Sequence, residues 1–228
     1  MSKGPVIGTL QERSLHASLK ELYVQGDAKS EVSIDGFVID VVKDDLLIEI
    51  QTRNFAAIKS KLLSLLKNHP VRLVHPLPIK KWIVKQTPDG MKQLSRRLSP
   101  KKCGFEDIFD ELVRIPNFMA HSNFSIEVLL IEEEEIRLQD GKGSWRRRGW
   151  SIVDRKLVEV IDRRLYEKPS DFLHFIPHAL ERPFRNSDLV ESLGISRRLG
   201  QRLTYCLRKM NALKTVGKKG NALLHDIA

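Results

Sequence analysis

The chain lacks the residues and patterns that mark several large classes of protein. It has only two cysteines in 228 residues, Cys103 and Cys206, and no CxxC pair or Cys/His cluster, so we expect reduced thiols rather than a disulfide scaffold or a zinc ribbon. No apolar run reaches the roughly 18 residues of a membrane-spanning helix, and Met1-Ser2-Lys3-Gly4-Pro5 lacks the apolar core of a secretory signal. We therefore expect no membrane partner and a cytoplasmic location, associated with the nucleoid if the protein is bacterial.

Two common catalytic signatures are also missing. Gly141-Lys142-Gly143-Ser144 does not match the phosphate-binding loop pattern, and the chain has no GxSxG or Ser/His/Asp arrangement. Positive charge, in contrast, is in excess, with 39 Lys+Arg against 29 Asp+Glu and a net charge of +10. The surplus is +4 in residues 1–85, zero in 86–184 and +6 in 185–228. This distribution favours a polyanionic partner such as DNA.

Hydrophobic periodicity in the first 90 residues predicts an α/β core. The patterns indicate, in order, a helix in Leu10–Tyr23, strands at Glu31–Val42 and Leu46–Gln51, a helix at Arg53–Lys67 and a strand at Val71–His75. The short turn between the first two strands makes them an antiparallel hairpin. A strand, a crossover helix and a strand in succession favour a parallel pair, and hence a mixed sheet.

The rest of the chain predicts two further units. Residues 91–168 read as an α+β middle region, with a helix at Phe105–Val113, strands at Phe124–Ile131 and Trp150–Val153, and a helix near Lys156–Tyr166. Residues 169–228 contain a helix capped by Asn186-Ser187, a second helix at Ser196–Met210 and a two-stranded ribbon with Lys218 and Lys219 at its tip. This order is similar to a winged helix-turn-helix module.

Acidic residues fall at neighbouring positions of the predicted hairpin. Side chains alternate along a strand, so Asp40 and Glu49 can meet on one side of it, and Glu12 lies beside the buried stripe of the first helix. Carboxylates in apolar surroundings are costly to desolvate unless they bind a cation, and a hard ion such as Mg²⁺ suits them. The alternative is that these acids are simply solvated at the strand ends.

The order of these elements resembles the PD-(D/E)XK nuclease superfamily, which includes restriction endonucleases and Holliday-junction resolvases. The stretches that carry the resemblance are Gly8–His16, Ile34–Asp40 and Ile48–Gln51. The resemblance implies a restriction endonuclease-like mixed-sheet core at 1–90, followed by the middle region 91–168 and the winged helix-turn-helix 169–228. It also implies metal-dependent hydrolysis of DNA phosphodiester bonds.

The resemblance also assigns roles to individual residues. Asp40, Glu49 and the carbonyl of Ile50 would hold Mg²⁺, for which Mn²⁺ can substitute, and Glu12 would act from the first helix. Gln51 stands where the family usually has a catalytic lysine, and an amide can orient water but adds no positive charge.

Basic residues outside the core are candidates for DNA binding. Guanidinium and amide groups can read base edges and phosphates. The candidates are Arg197, Arg198, Gln201, Arg202, Lys218 and Lys219 in the C-terminal module, and Arg146, Arg147 and Arg148 between Trp145 and Trp150. The tryptophans favour contact with phosphates or unpaired bases; in the alternative, they are core residues and the three arginines pair with the acidic run Glu132–Glu135.

Three functions are consistent with the sequence. The first is a Mg²⁺-dependent DNA endonuclease, for which a homodimer would pair two active sites. The second is a DNA-binding regulator or scaffold that keeps the nuclease fold without cleavage, which the missing lysine permits. The third is a protein-interaction module whose basic ends serve solubility.

Overall fold

A computed structural model describes residues 14–228 and contains a seven-stranded mixed sheet. Its strands are β1 (Lys29–Ile34), β2 (Phe37–Lys43), β3 (Leu46–Ile50), β4 (Val71–Gln86), β5 (Gln93–Leu98), β6 (Phe124–Gln139) and β7 (Trp150–Tyr166). Their order is β1-β2-β3-β4-β6-β7, and β5 pairs with the second half of β4. The predicted site residue Glu12 lies outside the described residues.

Helices and a small ribbon complete the structure. The helices are α1 (Ser14–Glu21), α2 (Phe55–Leu65), α3 (Phe109–Leu112), α4 (Asn186–Leu193) and α5 (Arg197–Lys209), with short 3-10 helices at Phe105–Ile108, Pro116–Ala120, Trp145–Arg147 and Pro169–Phe175. The ribbon consists of β8 (Leu213–Lys219) and β9 (Ala222–Ile227). Among residues 14–228, no helix combines the length and the apolar content needed to cross a bilayer.

The α/β class with a mixed sheet is confirmed. β2 and β3 pair antiparallel, and the crossover through α2 brings β4 parallel to β3; β4 is in turn parallel to β6. The sheet continues from β1 to β7 and therefore crosses the boundary predicted at residue 90.

Two stretches differ from the predicted secondary structure. The strand predicted at Glu31–Val42 is split into β1 and β2 by a turn at Asp35 and Gly36, whose φ angles of 50° and 80° suit a tight hairpin turn. The helix predicted near Lys156–Tyr166 is wrong, because these residues belong to β7. Antiparallel pairing with β6 along the whole of β7 outweighs the local helical pattern.

β4 is much longer than the strand predicted at Val71–His75, because it continues to Gln86. Pro76 and Pro78 lie between the segment of β4 that pairs with β3 and the segment that pairs with β5. Proline has no N–H to donate, but on this stretch one side of β4 has no strand partner, so no ladder bond is lost. β6 supports β4 on the other side throughout.

The sheet separates two apolar cores. On one face, Leu15 and Leu19 of α1 pack against Ile48 and Ile50 of β3. On the other face, α2 and α3 pack together with the C-terminal helices α4 and α5. The helices α4 and α5 and the ribbon β8–β9 occur where the sequence predicts them, and they share this second core.

Candidate functional site

The site lies where β2 and β3 separate. Their backbone pairing ends at Val41 and Ile48. One residue beyond, the carboxylate of Asp40 accepts a hydrogen bond of 2.8 Å from the backbone N–H of Ile50, in place of a main-chain partner. The two strands are therefore held apart by a side chain, and the gap is lined by polar groups.

Glu49 is the buried carboxylate of this gap. Its residue is only 4% exposed, and its Oε1 lies 2.5 Å from Nζ of Lys61 on α2. The same ammonium donates a hydrogen bond of 2.6 Å to the backbone carbonyl of Val38 on β2. Burial raises the pKa of Glu49 to about 7 and the neighbouring charge of Asp40 adds to the rise, although Lys61 acts in the opposite direction.

The pKa of Asp40 is shifted in the opposite direction to that of Glu49. Burial would raise its pKa, but hydrogen bonds from His16 and the Ile50 N–H, together with the charges of His16 and Lys61, lower it below the ordinary value. Nε2 of His16, on α1, lies 3.3 Å from Oδ2 of Asp40. Two neighbouring carboxyl groups thus have pKa values that are shifted apart, an arrangement that lets one stay ionised while the other exchanges a proton near neutral pH.

The Ile50 carbonyl and the Gln51 side chain point in different directions. The N–H and C=O of one strand residue face the same neighbouring strand, so the Ile50 carbonyl faces the gap, as its N–H does. The Gln51 amide instead donates to the backbone carbonyls of Arg53 at 2.5 Å and Asn54 at 3.3 Å, at the start of α2. In this structure Gln51 does not reach the two carboxylates.

Lys61 is the site residue that the sequence reasoning missed. It lies on α2, three residues after the buried Ile58 and next to the buried Leu62, and so flanks the apolar stripe of the helix. A lysine at the border of such a stripe can extend along the sheet surface toward a buried acid. That position was the available signal, and it is weak because many solvated lysines share it.

The gap offers oxygen ligands suited to a hard cation. Asp40 and Glu49 both border the gap, Asp40 in contact with His16 of α1 on one face of the sheet and Glu49 in contact with Lys61 of α2 on the other. Carboxylate and carbonyl oxygens are ligands that Mg²⁺ prefers. Within residues 14–228, no group of three or more His, Cys, Asp or Glu side chains is arranged to hold a metal ion. Two carboxylates and a carbonyl would therefore be the protein's contribution, with Lys61 close by.

Among the predicted DNA-binding residues of the C-terminal module, one is engaged by an ion pair and the others are exposed. Arg197, Arg198 and Gln201 are exposed on α5, and Lys218 and Lys219 are exposed on the ribbon. Arg197 and Gln201 border an open groove of about 660 Å³ between α4, α5 and the start of β9. Arg202 instead forms an ion pair with Asp110 of α3 and helps to attach the module to the sheet domain.

The arginines between the two tryptophans do not pair with the acidic run. Within the described chain, Glu132–Glu135 form their ion pairs with lysines and arginines of the strands: Lys80, Lys81, Arg96, Arg137 and Arg155. Arg146 and Arg148 are exposed, and Arg147 donates through Nε to the Trp150 carbonyl at 3.1 Å. The alternative pairing of the three arginines with Glu132–Glu135 is therefore not what the structure has.

Comparison with known proteins places the sheet domain in a family. Residues 13–167 match the family described as "Domain of unknown function (DUF8091)". The chain belongs to this family. The match covers α1 to β7, including Asp40, Glu49 and Lys61, and ends before the C-terminal module.

A relative from Treponema pallidum (strain Nichols), described as "Uncharacterized protein", is 34% identical over 155 residues. The aligned region is 68% of this chain and 61% of the relative, so the chain spans about three fifths of that protein's length. No solved structure matches the chain.

Proposed function

We propose that this protein is a metal-dependent DNA endonuclease of the PD-(D/E)XK type, as the sequence resemblance implies. The observation that carries the proposal is a pair of carboxylates with pKa values shifted in opposite directions, Asp40 and Glu49, bordering the gap between β2 and β3. A buried carboxylate with a pKa of about 7 is more common at functional sites than in purely structural positions.

Each residue of the gap has a role in this proposal. Asp40, Glu49 and the Ile50 carbonyl would hold a Mg²⁺ or Mn²⁺ ion, which when bound stabilises the negative charge that develops on the phosphate. His16 and the Ile50 N–H keep Asp40 ionised and oriented. Lys61 supplies the positive charge that Gln51 lacks, so it can orient a phosphate oxygen or the attacking water by donating a hydrogen bond.

DNA binding is assigned to the C-terminal module and supports this proposal. The exposed Arg197, Arg198 and Gln201 occupy the N-terminal half of α5, the place of the recognition helix in a winged helix-turn-helix. Lys218 and Lys219 on the ribbon would contact phosphates. The shared core holds this module against the sheet domain, so binding and cleavage would act on one DNA molecule.

The test is cleavage of supercoiled plasmid and labelled duplex in Mg²⁺ or Mn²⁺. We expect Asp40→Asn and Glu49→Gln to lose at least about 100-fold in rate. Asp45→Asn is the matched control, because Asp45 is an exposed acid in the turn of the same hairpin. Equal cleavage by all variants would show that the activity does not come from this gap. Light scattering on the same samples tests the proposed homodimer.

One observation favours the second function, a DNA-binding regulator without cleavage. Lys61 already neutralises Glu49, and Gln51 is turned away from the carboxylates. A regulator would bind duplex DNA with a steep salt dependence and cleave under no metal condition. Arg198→Ala should then lower the slope of log K against log salt by about 0.9, one phosphate contact. A shallow salt dependence would instead favour a protein-interaction module.

A further inference from the structure

The end of the sheet that carries the β4–β5 and β6–β7 connections has an exposed tryptophan in one of these two basic hairpin tips. Gln86 of β4 pairs with Leu138 of β6, so the β4–β5 and β6–β7 connections lie at the same end. Trp145, in the β6–β7 connection, is 82% exposed. An indole combines a large apolar ring with an N–H donor, a composition that is common at binding surfaces.

The connection presents Trp145 on a hydrogen-bonded frame. Its 3-10 turn is closed by the Arg147 N–H to the Ser144 carbonyl at 2.9 Å and the Arg148 N–H to the Trp145 carbonyl at 3.0 Å. The Arg147 side chain ties the turn to Trp150, and a Cβ at Gly143 would come within 2.1 Å of the Trp150 carbonyl. The backbone below the indole is therefore fixed by close contacts.

The other two tryptophans are already covered. The guanidinium of Arg96 lies 3.7 Å from the Trp82 ring, whose Nε1 donates to Glu132 at 2.6 Å. The ammonium of Lys85 lies 4.3 Å from the Trp150 ring. The guanidinium of Arg146 lies 5.5 Å from the centroid of the Trp145 ring, and this residue is the most exposed of the three tryptophans. Trp145 is thus the tryptophan most accessible to a ligand.

Charge at these tips identifies the ligand as an anion. Residues 85–92 and 140–149 contain six lysines and arginines and two aspartates. The aspartates are engaged locally: Asp89 accepts from Thr87 and from the Met91 N–H, and Asp140 accepts from the Lys142 N–H and from Ser151. The acidic run of β6 is paired elsewhere, so Arg146 and Arg148 remain oriented to solvent.

We propose that this end of the sheet is a binding site for unpaired nucleotides, with Trp145 stacked on a base and Arg146 and Arg148 on the flanking phosphates. An indole can stack on a base only where the base is not already stacked within a duplex. Arginines beside an aromatic ring are the usual composition of surfaces that bind single strands. This inference rests on the proposed function for the nature of the polymer, but not for its cleavage.

The position of Trp145 also sets a length. Ile50, next to Glu49, pairs with Val74 of β4, and Val74 pairs with Glu127 of β6. Gln139, which pairs with Trp150 at the far end of the sheet, is twelve residues after Glu127 along β6. At about 3.3 Å per residue, the path along β6 between these two levels is at most about 40 Å.

Binding in EDTA tests the site without cleavage. A labelled 20-nucleotide single-stranded DNA, a single-stranded RNA of the same sequence and the matching DNA duplex are titrated by anisotropy, with tryptophan fluorescence as a second signal. We expect Trp145→Ala to weaken binding of single-stranded DNA by about 5- to 150-fold, the range for stacking of one base. Duplex affinity should stay within about 2-fold, because the C-terminal module is intact. Arg146→Ala with Arg148→Ala should lower the single-strand salt slope by about 1.4.

Two tryptophan variants make the assignment specific. Trp145→Phe should keep part of the affinity but lose the fluorescence quenching, whereas the control Trp82→Phe should keep both. Unchanged single-strand affinity in Trp145→Ala, or an equal loss on single strand and duplex, would overturn the inference while leaving the endonuclease proposal intact. If Trp145→Ala weakens single-strand binding but the protein cleaves DNA under no metal condition, the inference is supported and the endonuclease proposal is refuted. Tighter binding of the RNA would identify RNA as the preferred polymer.

Discussion

Replacing Glu49 by glutamine should change how the stability of the protein depends on pH. The pKa of Glu49 is raised from 4.5 to about 7, mainly by burial. Between these two pH values the folded chain keeps a proton that the unfolded chain has released, so stability falls as pH rises through this window. At about 1.4 kcal/mol per pKa unit, the full loss above pH 7 is about 3 kcal/mol. A glutamine at this position does not titrate, so Glu49→Gln should abolish this fall in stability with rising pH.

Urea unfolding at pH 5 and pH 8 measures the effect. At pH 5 the wild-type protein has already lost about 0.8 kcal/mol of this stability. Between pH 5 and pH 8, the free energy of unfolding of Glu49→Gln should therefore rise by about 2.5 kcal/mol relative to that of the wild type. The buried His75 and His225 also have lowered pKa values, but they are present in both proteins and cancel in the difference. Asp45→Asn should show no such change. A difference below about 0.5 kcal/mol, or of opposite sign, would show that Lys61 rather than burial controls the pKa of Glu49.

Three further substitutions test other parts of the structure. Lys61→Gln should lower the free energy of unfolding by about 3 kcal/mol at pH 8, and by less at pH 5 because Glu49 holds its proton there. Lys59→Gln, at an exposed position of the same helix, should leave the free energy of unfolding unchanged. Equal effects of the two substitutions would exclude a special role for Lys61. Leu19→Ala, which empties a fully buried position of α1, should cost about 2 to 5 kcal/mol in urea unfolding, against about 0.5 for the partly exposed Leu22→Ala. Gly36→Ala should cost about 1 to 2 kcal/mol in thermal unfolding because its φ is 80°, and an unchanged melting temperature would contradict that turn geometry.

The parts of the fold that could be predicted are those with strong local periodicity. The stripe of Phe55, Ile58, Leu62 and Leu65 defined α2, and the capped helices α4 and α5 were found in the same way. The helix prediction at Lys156–Tyr166 was wrong because the apolar residues there fit a helix and a bulged strand equally well. Pairing with β6 decides in favour of the strand. The Asp-Gly pair at 35–36 is itself a sequence signal for the tight hairpin turn that separates β1 from β2.

Only part of the candidate site follows from the sequence. Strand geometry predicts that Asp40 and Glu49 are neighbours across the hairpin, and the charge of Asp40 acts on the pKa of Glu49. That their side chains contact helices on opposite faces of the sheet, His16 of α1 and Lys61 of α2, does not follow from alternation. The approach of Lys61 depends on how α2 crosses the sheet, and the direction of the Gln51 side chain depends on free carbonyls at the start of that helix. Both are set by tertiary packing, and no local pattern encodes them.

The apolar core shared by the sheet domain and the C-terminal helices has a consequence for shortened forms of the protein. Phe109 of α3 contacts Phe172 and Phe175, with ring centroids 5.8 and 5.2 Å apart, and Leu203 and Leu207 of α5 belong to the same core. A fragment cut at residue 167, where the family match stops, would leave this surface of α3 bare. Such a fragment should therefore self-associate in solution, and adding back residues 168–228 as a separate chain should restore a soluble complex.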